Sequence, residues 1–177
     1  MMFCMIMAMV DTPEDKKKVE ALYKKYDRLM YYTAGKVLHR HEDIEDAVME
    51  AWTRIIRNLD NISEISCPKT LSYVVIIVER TSIDIYNRNR KHGESEVPIS
   101  DYDQSPFFMT NDQQMNDTEV YEDLRRLPKE FSDVMIMYYM QEMDMKEIAR
   151  ALDISEAAAY KRLQRGRTEL EKRWSDD

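Results

Sequence analysis

The chain has 177 residues, 34 acidic and 26 basic for a net charge of −8, with only 3 glycines and 5 prolines. That length allows one domain or two small ones, and few helix breakers beside 34% charged residues point to a helical protein in water. Cys4 and Cys67 stand far apart in the sequence, which argues against a disulfide framework or a cysteine-based zinc site and fits a reducing cytoplasm.

Residues 1–12 begin MMFCMIMAMV, an apolar run well short of the roughly 20 residues that span a bilayer. It lacks the basic start and small-residue cleavage site of a secretory signal, so no membrane insertion is expected. The repeated methionines leave a translation start at Met9 open, and the tail is assigned no function.

Residues 13–91 read as a three-helix module. From Asp15 to Leu38, Val19, Leu22, Tyr26, Leu29, Met30, Thr33 and Val37 recur at helical spacing. Asp43 to Leu59 repeats the pattern with Ile44, Ala47, Val48, Ala51, Trp52 and Ile55. Asp43, Glu45 and Asp46 open this second helix, and Glu50 follows one turn on. Acids at a helix N-terminus favour the macrodipole, and the same carboxylates offer a docking face. His39 and His41 supply no convincing metal-ligand spacing beside them, so neither metal nor acid–base catalysis is expected. Trp52 fits the core better than a surface anchor.

Pro68 is placed to open a third helix ending in NRNRK at Lys91. The β-branched run Val74–Val78 would suit a strand, but no second strand candidate exists to pair with it, and a buried helix is the preferred reading. Arg80, Asp84, Asn87, Arg88, Arg90 and Lys91 cluster towards the end of this helix. Bases there favour the dipole. Together with Tyr73 and Tyr86 they also combine cations with aromatic faces, the pairing that binds single-stranded nucleic acid.

Periodicity disappears over 92–117, where prolines, serines and acids give the composition of an acidic flexible linker. From His92 to Asp133 there are 11 acidic and 3 basic residues, a balance equal to the whole chain's excess. Glu79–Lys91 holds 2 acids and 4 bases, and Glu156–Arg173 holds 3 acids and 6 bases. The negative total therefore hides two basic patches, compatible with DNA contact that is weak without a larger partner.

Helical patterning resumes at Thr118, breaks at Leu127-Pro128, and continues through Phe131, Val134, Met135 and Tyr138, so 118–177 reads as a second helical module. Its end has the form of a helix-turn-helix. Asp144 and Glu147 make a capping box, and Ile148, Ala149 and Leu152 form an apolar edge. In the turn, Asp153 tolerates a left-handed backbone, Ile154 plugs the corner and Ser155 caps the second helix of the motif. Ala159, Leu163, Gly166 and Leu170 form an inward stripe. Lys161, Arg162, Arg165 and Arg167 lie off that stripe, free for phosphates and base edges. The fold expected is thus all-α, two small helical domains joined by an acidic linker. No glycine-rich phosphate loop, Ser–His–Asp set or dinucleotide fingerprint is present, so no enzyme and no cofactor is expected.

Taken together, these residues resemble a bacterial RNA polymerase sigma factor of the sigma-70 family, extracytoplasmic-function class, over most of 18–172. Asp43–Leu59 is similar to the helix that docks on core polymerase, which implies that Asp43, Glu45, Asp46 and Glu50 bind polymerase. Tyr73–Lys91 is similar to the helix that captures the minus-ten element, implying DNA-binding roles for Arg80, Asp84, Asn87, Arg88, Arg90 and Lys91. Leu127–Phe131 and Glu147–Leu170 are similar to the domain that reads the minus-thirty-five element. There the resemblance implies that Ser155, Lys161, Arg162 and Arg165 grip the duplex, with Glu156, Ala157 and Ala158 nearest the base edges. It further implies a cytoplasmic protein whose partners are core polymerase, promoter DNA and an anti-sigma factor, the last specified by no residue of this chain. The chain departs from the family's pattern at Glu79-Arg80, where Arg-Asn is usual, and at Asp153, where glycine is usual. The residues leave two other readings: a stand-alone helix-turn-helix regulator with a sensing or dimerising N-terminal module, and a pure interaction protein that binds polymerase.

Overall fold

The computed structural model describes residues 1–93 and 119–176. Every regular element among them is helical. The chain divides into two units, Met1–Gln104 and Ser105–Asp177, each with its own core.

In the first unit, α2 (Pro13–Gly35), α3 (His41–Arg57) and α4 (Pro68–Lys91) pack against one another. Thr12 starts α2 by accepting the Asp15 amide on its hydroxyl at 3.1 Å, and Pro13 takes the first helical position, where its missing N–H costs nothing. Leu22 and Met30 of α2, Trp52 and Ile55 of α3, and Ile77 and Ile85 of α4 fill the core. Each such side chain contributes roughly 1.5–3 kcal/mol by leaving water. The Val74–Val78 run is helical as expected: Ser72 to Glu79 are all buried, so packing on every side overrides the weaker helix propensity of β-branched residues. Thr81 and Ser82 donate their hydroxyls to the carbonyls of Ile77 and Val78 at 2.8 and 2.7 Å, which removes the cost of burying them.

Between α3 and α4 the chain turns through a short 3-10 segment, Leu59–Asn61, fastened to α2 by Lys18, whose ammonium donates to the Leu59 carbonyl at 2.8 Å. Tyr26 of α2 donates its hydroxyl to the Ile65 carbonyl at 2.6 Å. Burial, then the nearby Cys67, pushes this phenol up to about 12.

Residues 1–12 are more than a tail. Met2–Ala8 forms a helix, α1, packed on α2 and α3, so the first unit has four α-helices rather than three. Ile6 is fully buried, Val10 nearly so, and the Phe3 ring lies 4.8 Å from that of Tyr23. An element this short carries too few turns for periodicity to reveal it, and the burial of its apolar edge accounts for its presence.

The second unit holds α5 (Glu119–Arg125), α6 (Lys129–Tyr139), α7 (Met145–Leu152) and α8 (Glu156–Asp176). α6 and α7 both pack on α8, and α5 packs on α6. Leu124, Leu127, Val134, Met135, Met137, Ile148, Ala159 and Leu163 make the core. The far end of α8 fastens α5: Arg173 donates to the Arg126 carbonyl at 2.7 Å, and the Trp174 indole donates to Asp123 at 2.9 Å. The acidic linker expected over 92–117 lies outside the described residues, apart from His92 and Gly93, which come directly after the last turn of α4.

Candidate nucleic-acid interface

In the second unit the turn between α7 and α8 is built as the sequence suggests. The Asp144 carboxylate accepts the Glu147 amide, and the Glu147 carboxylate accepts the Asp144 amide, both at 2.8 Å. Asp153 adopts φ 54 and ψ 48, the left-handed conformation that reverses the chain. The Ile154 amide then returns to the Ala149 carbonyl at 2.9 Å and the Asp153 amide to Arg150 at 3.4 Å, the paired bonds of a Schellman stop. Ser155 accepts the Ala158 amide at 3.1 Å and opens α8. Ala159, Leu163, Gly166 and Leu170 are all buried.

That stripe leaves one face of α8 to solvent. Glu156, Ala157, Tyr160, Lys161, Gln164 and Arg165 are exposed along it, while Ala158 and Arg162 are half-buried at its edges. The Ser155 cap sits where this face begins. Lys161, Gln164, Arg165, Thr168 and Glu169 line an open cleft of about 390 Å³ against Phe131 of α6. Small Ala157 leaves the start of this face open to close approach, with the cations Lys161 and Arg165 one and two turns further along it.

Two residues change status. Arg167, expected to face phosphate, donates to the Tyr139 hydroxyl at 2.7 Å and lies 5.6 and 5.8 Å from the Tyr139 and Tyr138 ring centres. Arg167 is still exposed, and this surface contact ties α8 to α6. Tyr160, missed in the sequence, is 59% exposed and stands between Glu156 and Gln164 on the outer face. The signal was its offset from the buried stripe, one position from both Ala159 and Lys161.

In the first unit, helical spacing aligns Arg80, Asp84, Asn87, Arg88 and Lys91 along one stripe of α4, with Arg90 to the side. Asn87, Arg88, Arg90 and Lys91 are exposed, and Arg80 is half-buried. Tyr73 and Tyr86 are each only 4% exposed. They are core residues, so the expected aromatic platform is absent there: buried rings cannot stack with bases.

The acidic residues of α3 also sort by environment. Asp46 is exposed. Asp43 is half-buried, 3.9 Å from Arg40, and Glu45 is exposed, 3.4 Å from His41. Glu50 meets the guanidinium of Arg54 at 2.5 Å. Arg54 itself is 4% exposed and reaches across to Asp84 of α4 at 3.3 Å. Asp84 is therefore a partner of α3 as well as a member of the α4 stripe. The sequence held a signal for Arg54: it follows Ala47 and Ala51 at i+7 and i+3 on the buried face, where a charge needs a partner. Trp52 is fully buried, stacked with Tyr23 at 5.7 Å and donating to Asp27 at 3.4 Å, in keeping with the core reading.

Among the described residues no group of His, Cys, Asp or Glu is placed to hold a metal ion, and no helix is long and apolar enough to cross a membrane.

Residues 22–92 match the family model for sigma-70 region 2, and residues 118–170 match that for sigma-70, region 4. The chain is 23% identical over 163 residues to the RNA polymerase sigma factor YlaC of Bacillus subtilis (strain 168), covering 89% of this chain and 92% of that protein. It also resembles the solved structure of CnrH in complex with the cytosolic domain of CnrY, with 15% identity, a TM-score of 0.38, and coverage of 99% of this chain and 96% of that one.

Proposed function

The chain belongs to the sigma-70 family, with a region 2 and a region 4, and from that premise we propose that it binds core RNA polymerase and directs it to promoters. The acidic face of α3, Asp43, Glu45 and Asp46 with Glu50 beside them, docks on a cationic surface of the polymerase. The α4 stripe of Arg80, Asn87, Arg88 and Lys91, flanked by Arg90, holds the opened strand of the minus-ten element. It does so by charge and hydrogen bonding, since Tyr73 and Tyr86 are buried. In the second unit, Ser155, Lys161, Arg162 and Arg165 grip the minus-thirty-five duplex, and Glu156, Ala157, Ala158 and Tyr160 meet base edges. The protein contributes positioning and no covalent chemistry of its own.

The observation that carries this reading is the pairing of two cationic helix faces in separate units of one chain whose total charge is −8. Net negative charge weakens DNA binding by the free chain, so promoter binding depends on the polymerase that brings both faces to one duplex. Purified chain and core polymerase, tested together for promoter-dependent transcription, decide the matter. Replacing Asp43 and Asp46 by lysine is expected to abolish polymerase association while the helical circular-dichroism signal persists. Specific operator binding without polymerase, unaffected by that reversal, would establish a stand-alone regulator instead.

A further inference from the structure

We propose that Arg54 is a positioning residue that couples polymerase docking on α3 to strand capture on α4. The proposal rests on the function inferred above and adds to it a link between two sites that this function alone does not require.

The link is a shared nitrogen. Nη2 of Arg54 lies 2.5 Å from Oε1 of Glu50 and 3.3 Å from Oδ2 of Asp84. The guanidinium is buried, whereas the Glu50 and Asp84 side chains are 40% and 55% exposed. Both carboxylates thus reach a partner from outside, while the charge between them stays within the unit. Glu50 belongs to the docking face. Asp84 stands one turn after Arg80 and one turn before Arg88, an acid inside a stripe that must meet phosphate. Left uncompensated, its charge would repel the strand. Arg54 beneath it offsets that charge and fixes the register of α4 against α3.

A polymerase cation that engages Glu50 draws it from Arg54, and the guanidinium shifts its hold towards Asp84. The stripe then presents less negative charge beside Arg88 at the moment when docking has occurred. Docking and strand capture reinforce one another through one side chain, and by linkage strand binding favours docking in return.

The test uses the complete chain with core polymerase on promoter DNA, reading promoter affinity and the rate of strand opening by permanganate reactivity of unpaired thymines. Glu50→Gln and Asp84→Asn form a double-mutant cycle, and Arg54→Gln and Arg54→Lys probe the centre. In the assembled polymerase complex, Glu50→Gln, which frees the guanidinium for Asp84, and Asp84→Asn, which removes the acid from the stripe, are each expected to speed opening about fivefold, and the double variant to be no faster than the faster single, because both relieve the same repulsion. Arg54→Lys, which keeps the charge, is expected to recover most of what Arg54→Gln loses in opening rate. Effects of Glu50→Gln and Asp84→Asn that simply multiply would overturn the proposal. So would an Arg54→Gln chain whose promoter affinity and opening rate fall together with no rescue by lysine. Should Arg54→Gln fail to fold, the cycle at the two exposed carboxylates still decides. Wild-type chain that does not bind core polymerase at all would instead bring down the function inferred above, and this proposal with it.

Discussion

Gly166 of α8 lies directly beneath Met135 of α6: a Cβ added there would stand 2.9 Å from the methionine Cγ and 3.3 Å from Cβ of Phe131. The missing side chain is what lets the two helices approach. Gly166→Ala gains about 1 kcal/mol of helix propensity but overpacks a core in which Met135 is 2% exposed, at a cost of about 1–3 kcal/mol. We expect a net loss of about 1 kcal/mol, seen as a lower urea midpoint. A midpoint that is unchanged or raised would show that Met135 repacks freely.

Asp27 answers to pH. Burial raises its carboxyl above the ordinary 3.8, against the opposing hydrogen bonds from Trp52 and Tyr23. A folded pKa above the unfolded one means that the folded state binds more protons in the interval between them, so this group's contribution to stability falls as pH rises through that interval. Asp27→Asn keeps an acceptor for the indole and removes the charge. Its melting temperature is expected to exceed wild type at neutral pH, with the gap closing as acid protonates the wild-type carboxyl. Asp27→Ala, which leaves the buried Trp52 N–H without this acceptor, should instead lose about 1–3 kcal/mol. A wild-type/Asp27→Asn difference that is constant with pH would refute the assignment.

Asp153 tests the turn. In its left-handed conformation, at φ 54, an ordinary side chain crowds the following carbonyl. Asp153→Gly is expected to hold stability within about 0.5 kcal/mol, and Asp153→Val to lose about 1–2 kcal/mol. Loss of the turn would also misdirect α8, so the valine variant should lose promoter affinity in the polymerase complex even at temperatures where it stays folded. Equal melting temperatures for the glycine and valine variants would contradict the backbone argument.

What the residues disclosed in advance divides along physical lines. The capping box of Asp144 and Glu147, the Asp153 reversal and the Ser155 cap are local, written in neighbours three residues apart, and all three were legible. The buried stripe from Ala159 to Leu170 was legible too, because a face of one helix repeats at a fixed interval. What escaped depends on contact between elements. Tyr73 and Tyr86 have the composition of a base-stacking pair, and only the packing around α4 shows them buried. Arg167 has the same helical environment in sequence as Arg165, but Tyr138 and Tyr139 of α6 claim it. Arg54 and Asp84 are 30 residues apart in sequence, and no periodicity within either helix announces their meeting.

The division between Arg165 and Arg167 yields the sharpest measurement. Each phosphate that a cation neutralises releases counterions, so the logarithm of affinity falls with the logarithm of salt at a slope of about 0.9 per contact. Lys161 and Arg165 are exposed on the outer face of α8, whereas the Arg167 guanidinium is held by the Tyr139 hydroxyl at 2.7 Å. With the polymerase complex on duplex promoter DNA, Lys161→Ala and Arg165→Ala should each flatten the salt slope by about 1. Arg167→Ala should leave the slope as it is and lower the thermal stability of the chain. Tyr160→Ala, which removes an exposed aromatic rather than a charge, should preserve the slope yet relax discrimination at one base step by about 1–3 kcal/mol. If Arg167→Ala flattens the slope as much as Arg165→Ala does, the packing role drawn from the Tyr139 contact is wrong, and Arg167, which is itself exposed, belongs with Lys161 and Arg165 on the cationic face of α8.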